Sequence, residues 1–186
     1  MIKILVVALS AYPVLRPGAG HFEGKAMRVR VIVYPAVLAL IPATWLVAGR
    51  PAPYPDLADI ALGVPFLIDV IGNVFNLFAT RRFDVIPHLF GWLGLTVAFG
   101  LAVAPLVPGA VVAFGLVLGF GATMDILWEI GEFTLMRSGS SGLQLTYENT
   151  IQDLATSLAG SALGALVVAT ILWPPAGTPA TLFGWS

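Results

Sequence analysis

Four stretches of the chain set carboxylates, amides or a histidine at helical spacing inside otherwise apolar sequence. Asp69, Asn73 and Asn76 stand at i, i+4 and i+7, and so do Asp125, Glu129 and Glu132. Asp84 and His88 are one turn apart, and Glu148-Asn149-Thr150 leads into Asp153. Residues at these spacings share a helix face. An imidazole beside carboxylates can relay a proton or hold a metal ion. Carboxylates crowded in a low dielectric cannot all ionise unless a proton, a cation or an arginine compensates them. One histidine with several carboxylates is a poor zinc site and suits Mg²⁺, Mn²⁺ or iron better. Asp84, His88, Glu129, Glu132 and Asp153 are therefore the expected ligands or proton-exchanging groups. Asp69 lies deeper, and Asn73, Asn76, Asp125, Glu148, Asn149 and Thr150 complete the expected polar centre.

Each cluster also has a plainer role open to it. Asparagines act as hydrogen-bonding glue between membrane helices. Asp84 can cap the third span, with Pro87 in its first turn, where a missing N–H costs nothing. Glu132 can sit beyond the bilayer, in water. Thr150-Ile-Gln-Asp153 matches an acidic variant of the capping box. No His-Glu-x-x-His, P-loop, Gly-x-Ser-x-Gly or Glu-x-x-His motif is present, so no catalytic residue is assigned.

The surrounding sequence dictates what must carry these groups. Of 186 residues, 58% are hydrophobic and 10% charged, and mean hydropathy is +0.93. Soluble domains carry about 25% charged residues. An all-α, polytopic bundle of transmembrane helices is expected, as a single domain in contact with the lipid bilayer. An ionisable group in hydrocarbon costs roughly 2.5–3.5 kcal/mol, so its recurrence in successive spans calls for a reason. The net charge of −1 argues against a nucleic-acid partner. The absence of cysteine excludes disulfides, thiolate ligands and cysteine nucleophiles.

A span needs about 20 apolar residues. Five such segments fall at about 31–49, 57–80, 85–106, 109–136 and 151–173. Residues 4–15 are apolar but short, and read as a short sixth helix, a signal-peptide core or an interfacial segment. Met27-Arg-Val-Arg30 directly precedes the first clean span and reads as an alternative start, which leaves 1–27 as an uncertain N-terminal segment. The bundle is expected over 28–173 and a flexible tail over 174–186. Ser138-Gly-Ser-Ser-Gly142 reads as a flexible loop. Gly115-Leu-Val-Leu-Gly119 and Gly160-x-x-x-Gly164 signal close helix packing, expected between the last two spans, and offer faces for a homo-oligomer.

Basic residues set the orientation. With five spans, Lys3, Arg16, Lys25, Arg28, Arg30, Arg81, Arg82 and Arg137 share one side and Arg50 the other; a sixth helix would move only Lys3 across. The first side is expected to be cytoplasmic and the C-terminus outside. The same parity places all four polar clusters in the cytoplasmic leaflet. Three function classes follow: binding or transport of a divalent cation or protons, metal-dependent catalysis on a lipid or isoprenoid, and a structural or assembly role without catalysis.

The order of motifs over about 69–170 resembles the YjdF-like family of small bacterial inner-membrane proteins. The residues that carry it are Asp69…Asn73, Phe83-Asp84…His88 followed by Gly91, Trp128-Glu129…Glu132-Phe133, and Tyr147-Glu148-Asn149-Thr150…Asp153…Gly160…Gly164. The resemblance implies a bacterial inner-membrane location and a shared polar centre, but no reaction. Family members usually show two aspartates where this chain has Glu148-Asn149, so a cation site here would be one charge weaker.

Overall fold

The computed structural model describes residues 1–16, 22–80, 83–139 and 146–185. The expected loop residues 140–142, His21 and the basic pair Arg81 and Arg82 lie outside the described residues. Helices α1 (Ile2–Leu15), α2 (Met27–Leu38), α3 (Leu40–Val47), α4 (Asp56–Val74), α5 (Trp92–Val103), α6 (Ala110–Arg137) and α7 (Tyr147–Thr170) carry the fold, and no strand occurs among the described residues. Five stretches are long and apolar enough to cross a membrane: Met27–Val47, Asp56–Val74, Pro87–Leu106, Ala110–Arg137 and Tyr147–Thr170. The all-α membrane bundle expected from composition is what forms.

Local chemistry explains where these helices bend and stop. The first span breaks at Ala39, where Pro42 has no N–H to offer the carbonyl one turn back. The second span stops at Val74, short of the expected 80. Asn76 then adopts a left-handed conformation, φ 54°, which asparagine tolerates better than most residues. It therefore leaves the face of Asp69 and Asn73. The third span opens with one wide π-helical turn, Pro87–Gly91, before α5 begins. Such turns recur at functional sites, and this one carries His88.

The short N-terminal segment is a sixth helix. It packs on α4 and α2, with Val6 fully buried beside Tyr34, Leu38 and Val70. Lys3 Nζ meets Asp59 Oδ1 at 2.5 Å, which puts the start of α1 at the same end of the bundle as the start of α4. Lys3 thus belongs with Arg50, as the six-helix arrangement requires.

α4, α5, α6 and α7 enclose the main core, with Ala61, Leu62, Val97, Val117 and Val168 at its centre. α6 is buried along a single stripe of Ala113, Val117, Gly121, Asp125 and Glu129, four residues apart. α7 answers with Asn149, Asp153, Ser157, Ser161 and Ala165 at the same spacing. Small side chains on both stripes let the backbones approach. A Cβ on Gly121 would overlap Ser161 and Thr96.

The glycine pairs act differently from expectation. Gly160 and Gly164 face the third span rather than the fourth. A Cβ on Gly160 would strike the Leu89 carbonyl of the π turn, and one on Gly164 would strike Thr96 and the Leu93 carbonyl. Gly115 and Gly119 meet nothing within 4 Å and lie exposed. The tail differs too. Trp185 is buried and Phe183 packs against the main core. Apolar area available at the end of α5 holds a segment whose composition suggested flexibility.

Candidate metal centre

The end of α4, the π turn, the end of α6 and the start of α7 meet at one end of the bundle, opposite Lys3 and Asp59. Four polar assemblies form there.

The first surrounds Asp69. Arg30 Nη1 donates to Asp69 Oδ1 at 2.5 Å, and the Tyr34 hydroxyl donates to Oδ2 at 2.6 Å. Asn73 Nδ2 donates to the Asp69 backbone carbonyl at 3.0 Å and to Oδ1 at 3.2 Å. Arg30 was expected at the membrane face as a topology signal. It is instead drawn into the bundle, where its Nη1 also reaches the Tyr34 oxygen at 2.6 Å. An aspartate so satisfied is a structural ion pair, not an exchangeable ligand. Asn73 serves the same pair. Asn76 is exposed, although it borders the cavity described below.

The second assembly joins Asp84, His88 and Asp153. One ligand atom from each lies within 4.8 Å of the others. His88 Nε2 stands 3.7 Å from Asp153 Oδ1. Asn149 Nδ2 donates to Asp84 Oδ2 at 3.1 Å, so the amide binds the neighbouring carboxylate. His88 Nδ1 and the Ser157 hydroxyl share a 2.9 Å hydrogen bond whose direction depends on the imidazole tautomer. An imidazole fixed through one nitrogen presents the other in a set direction, as metal-binding histidines do.

The third assembly shares His88 and adds Asp125 and Glu129, again with one ligand atom each within 4.8 Å. All three are buried. Glu129 is 7% exposed, and among the described residues neither of its carboxylate oxygens has a hydrogen-bond partner; one Asp125 oxygen is in the same condition. Buried polar groups are hydrogen-bonded in the great majority of cases, so these orphans call for a ligand. Three donors of mixed oxygen and nitrogen character, within 4.8 Å of one another, suit a hard or borderline divalent cation.

The fourth feature is a cavity of about 790 Å³ in front of these groups. Asp69, Asp84, His88, Glu132, Asn149 and Asp153 line its polar part. Asp125 and Glu129 are not among its lining residues. Glu132, expected to join Glu129 as a ligand, lines the cavity instead. Three residues beyond Glu129 is far enough around the helix to leave the buried stripe. Lys25, in the connection before α2, also borders the cavity, where burial and then the Arg30 charge push its ammonium below the usual lysine range.

Two expected members do not join. Glu148 is exposed in the first turn of α7. Thr150 is not the cap: the Thr146 hydroxyl accepts from the Asn149 amide at 3.2 Å, and the helix begins four residues earlier than expected. Sequence reasoning missed Arg30 and Tyr34 as partners of Asp69, and Ser157 as the partner of His88. Two of these had a spacing signal, since Tyr34 follows Arg30 by four and Ser157 follows Asp153 by four.

No protein-family model, curated protein or solved structure matches this chain.

Proposed function

We propose that this protein binds a divalent cation inside the membrane bundle, with His88, Asp125 and Glu129 as the inner ligands and Asp84 and Asp153 on the cavity side of the same imidazole. The observation that carries this is Glu129: a carboxylate 7% exposed, with no hydrogen-bond partner on either oxygen among the described residues, and with one oxygen within 4.8 Å of a ligand atom on each of His88 and Asp125. Leaving such a group ionised and unpaired costs several kcal/mol, of order 3–5 by the measured effect of stranding a buried charge. A bound cation removes that cost. The ligand set, with carboxylates outnumbering one imidazole, favours Mg²⁺, Mn²⁺ or iron over zinc.

Transport across the bilayer is the weaker alternative. Asp69 and Asp59 are the carboxylates that would continue a path to the far end, and each is held by a basic partner, Arg30 and Lys3, at 2.5 Å. A one-sided centre fits better. The excess of basic residues at this end, Lys25, Arg28, Arg30 and Arg137, supports a cytoplasmic location for it in a bacterial inner membrane. The order of the Asp84, His88, Glu129 and Asp153 motifs supports membership of the YjdF-like family.

The test is elemental analysis of the full chain purified in detergent after dialysis against Mn²⁺ and Mg²⁺. Close to one divalent ion per chain is expected in the parent, with a large loss in Glu129→Gln and in His88→Gln. Metal-free parent protein whose melting is indifferent to both ions would overturn the proposal.

A further inference from the structure

The cavity of about 790 Å³ runs along the helices rather than across them. Its lining residues extend from Phe120 to Glu132 on α6, from Leu62 to Asn73 on α4, and from Arg30 to Leu40 on the first span. At 1.5 Å per residue these stretches are about 18, 16 and 15 Å of helix. On each of them the polar member stands at the end of the bundle where Asp84 and Asn149 also border the cavity, and the apolar member lies deeper. The space is therefore polar at one end and apolar over the rest of its length. That is the profile of a lipid. Water does not fill the apolar part of such a cavity, and an ion has no use for it.

The same space is continuous with the surface that a bilayer covers. α2 packs on α1 and α4, while α6 packs on α5 and α7, and among the described residues α2 and α6 touch no more than marginally. Lining residues on the two sides of this gap, Val33 and Leu40 on the first span and Met124 and Leu127 on α6, are each at least 40% exposed. Both flanks belong to spans long and apolar enough to cross a membrane, so hydrocarbon is what meets the gap from outside. Leu62 on α4 and Trp92 on α5 also line the cavity, yet they are buried within the bundle. Empty apolar space forfeits the dispersion contacts of its walls. A hydrocarbon chain restores those contacts without leaving an apolar medium.

We propose that this cavity seats one hydrocarbon chain of a membrane lipid, which slides in sideways between α2 and α6 and leaves its headgroup at the Asp84, Asn149 and Glu132 end. The chain lies parallel to its neighbours in the bilayer, against the rings of Phe66, Trp92 and Phe120. The class of ligand is fixed by the chain and not by a charge on the head, because groups of both signs, Lys25 as well as Asp84 and Glu132, border the polar end. The lipid seat does not rest on the cation centre, since neither Asp125 nor Glu129 lines the cavity.

Phosphatidylcholine brominated on its chains tests it, because bromine quenches a tryptophan only at close range. The full chain is reconstituted in vesicles of plain or brominated lipid, and the emission of Trp92 is taken as the difference between the parent and Trp92→Phe. Trp92 should lose at least about half of its emission in the brominated bilayer, since a seated chain stands within contact distance of its ring. Val33→Phe combined with Leu127→Phe, which narrows the gap between α2 and α6, should restore most of that emission. Leu163→Phe, on α7 and outside the cavity lining, should restore none. A phosphatidylcholine with a photoreactive diazirine in its chain gives a second reading on the unaltered protein, and guards against a variant that fails to fold. It should label Leu62 and Leu95 inside the cavity. Equal Trp92 emission in the two bilayers, quenching untouched by the double variant, or labelling confined to residues outside the cavity such as Val111 and Leu163 would each overturn the proposal. Metal content measured on the same preparations lets the cation centre and the lipid seat stand or fall separately.

Discussion

Glu129→Gln should change the stability of the protein with opposite signs in the presence and absence of a divalent ion. The substitution keeps the shape of the side chain and removes its charge. In the parent without a cation, two carboxylate oxygens are buried with no partner. An unsatisfied buried polar group costs about 1–3 kcal/mol, and more when charged. The amide still bears that neutral cost but escapes the larger one of a stranded buried charge, about 3–5 kcal/mol, so in a chelator the variant should be more stable than the parent by about 2 kcal/mol. With ion at a hundredfold excess over its dissociation constant, the parent gains about 2.7 kcal/mol by mass action, because only the folded state assembles the ligands. The variant loses a ligand and gains much less. At about 2–4 °C per kcal/mol for a chain of this size, the parent should rise by about 5–11 °C on adding Mn²⁺. The assay is thermal melting in one detergent, with chelator and with excess Mn²⁺, parent beside variant. The two melting temperatures should exchange order between the conditions. A parent that melts identically in both conditions would refute the reasoning, and so would a variant that gains as much from Mn²⁺ as the parent does.

Three further outcomes are expected. Arg30→Met should destabilise the bundle by about 3–5 kcal/mol, because it strands Asp69 in the interior, and the double variant with Asp69→Leu should recover most of that loss in the same melting assay. Gly160→Leu should cost more stability than Leu158→Ala. Its new side chain runs into the Leu89 backbone, an overpacking penalty of about 1–3 kcal/mol, whereas Leu158 is 48% exposed and its truncation should stay near 0.5 kcal/mol. Asn149→Asp replaces the donor to Asp84 by a third carboxylate beside the Asp84–His88–Asp153 set. It should lower stability in chelator and raise divalent-ion affinity, and calorimetric titration that found affinity unchanged would separate Asn149 from the cation site.

The five long apolar spans were legible in the sequence, and the short N-terminal helix was not, because span length and hydropathy are quantities that add along the chain. Each apolar run is long enough for a span, and hydrocarbon admits only backbones whose hydrogen bonds close within the segment. The parity of the turns follows at once, and with it the gathering of Asp69, Asp84, Glu129 and Asp153 at one end. Periodicity also told which residues share a face. It could not tell what that face meets. Asp69 and Glu129 both read as carboxylates in apolar helices, yet one receives Arg30, Tyr34 and Asn73, and the other receives no hydrogen bond. Arg30 read as a membrane-face charge because its own span leaves it at a helix end; only the packing of α2 on α4 brings it to Asp69. Glycine spacing announced close contact at both 115–119 and 160–164, but only the second pair has a backbone opposite it, that of the π turn bearing His88. The split of the acidic groups between a buried pair and a cavity rim likewise depends on where the stripe of α6 meets that of α7. Composition and period are properties of one segment, whereas partnership is a property of two, and the chain decides it only on packing.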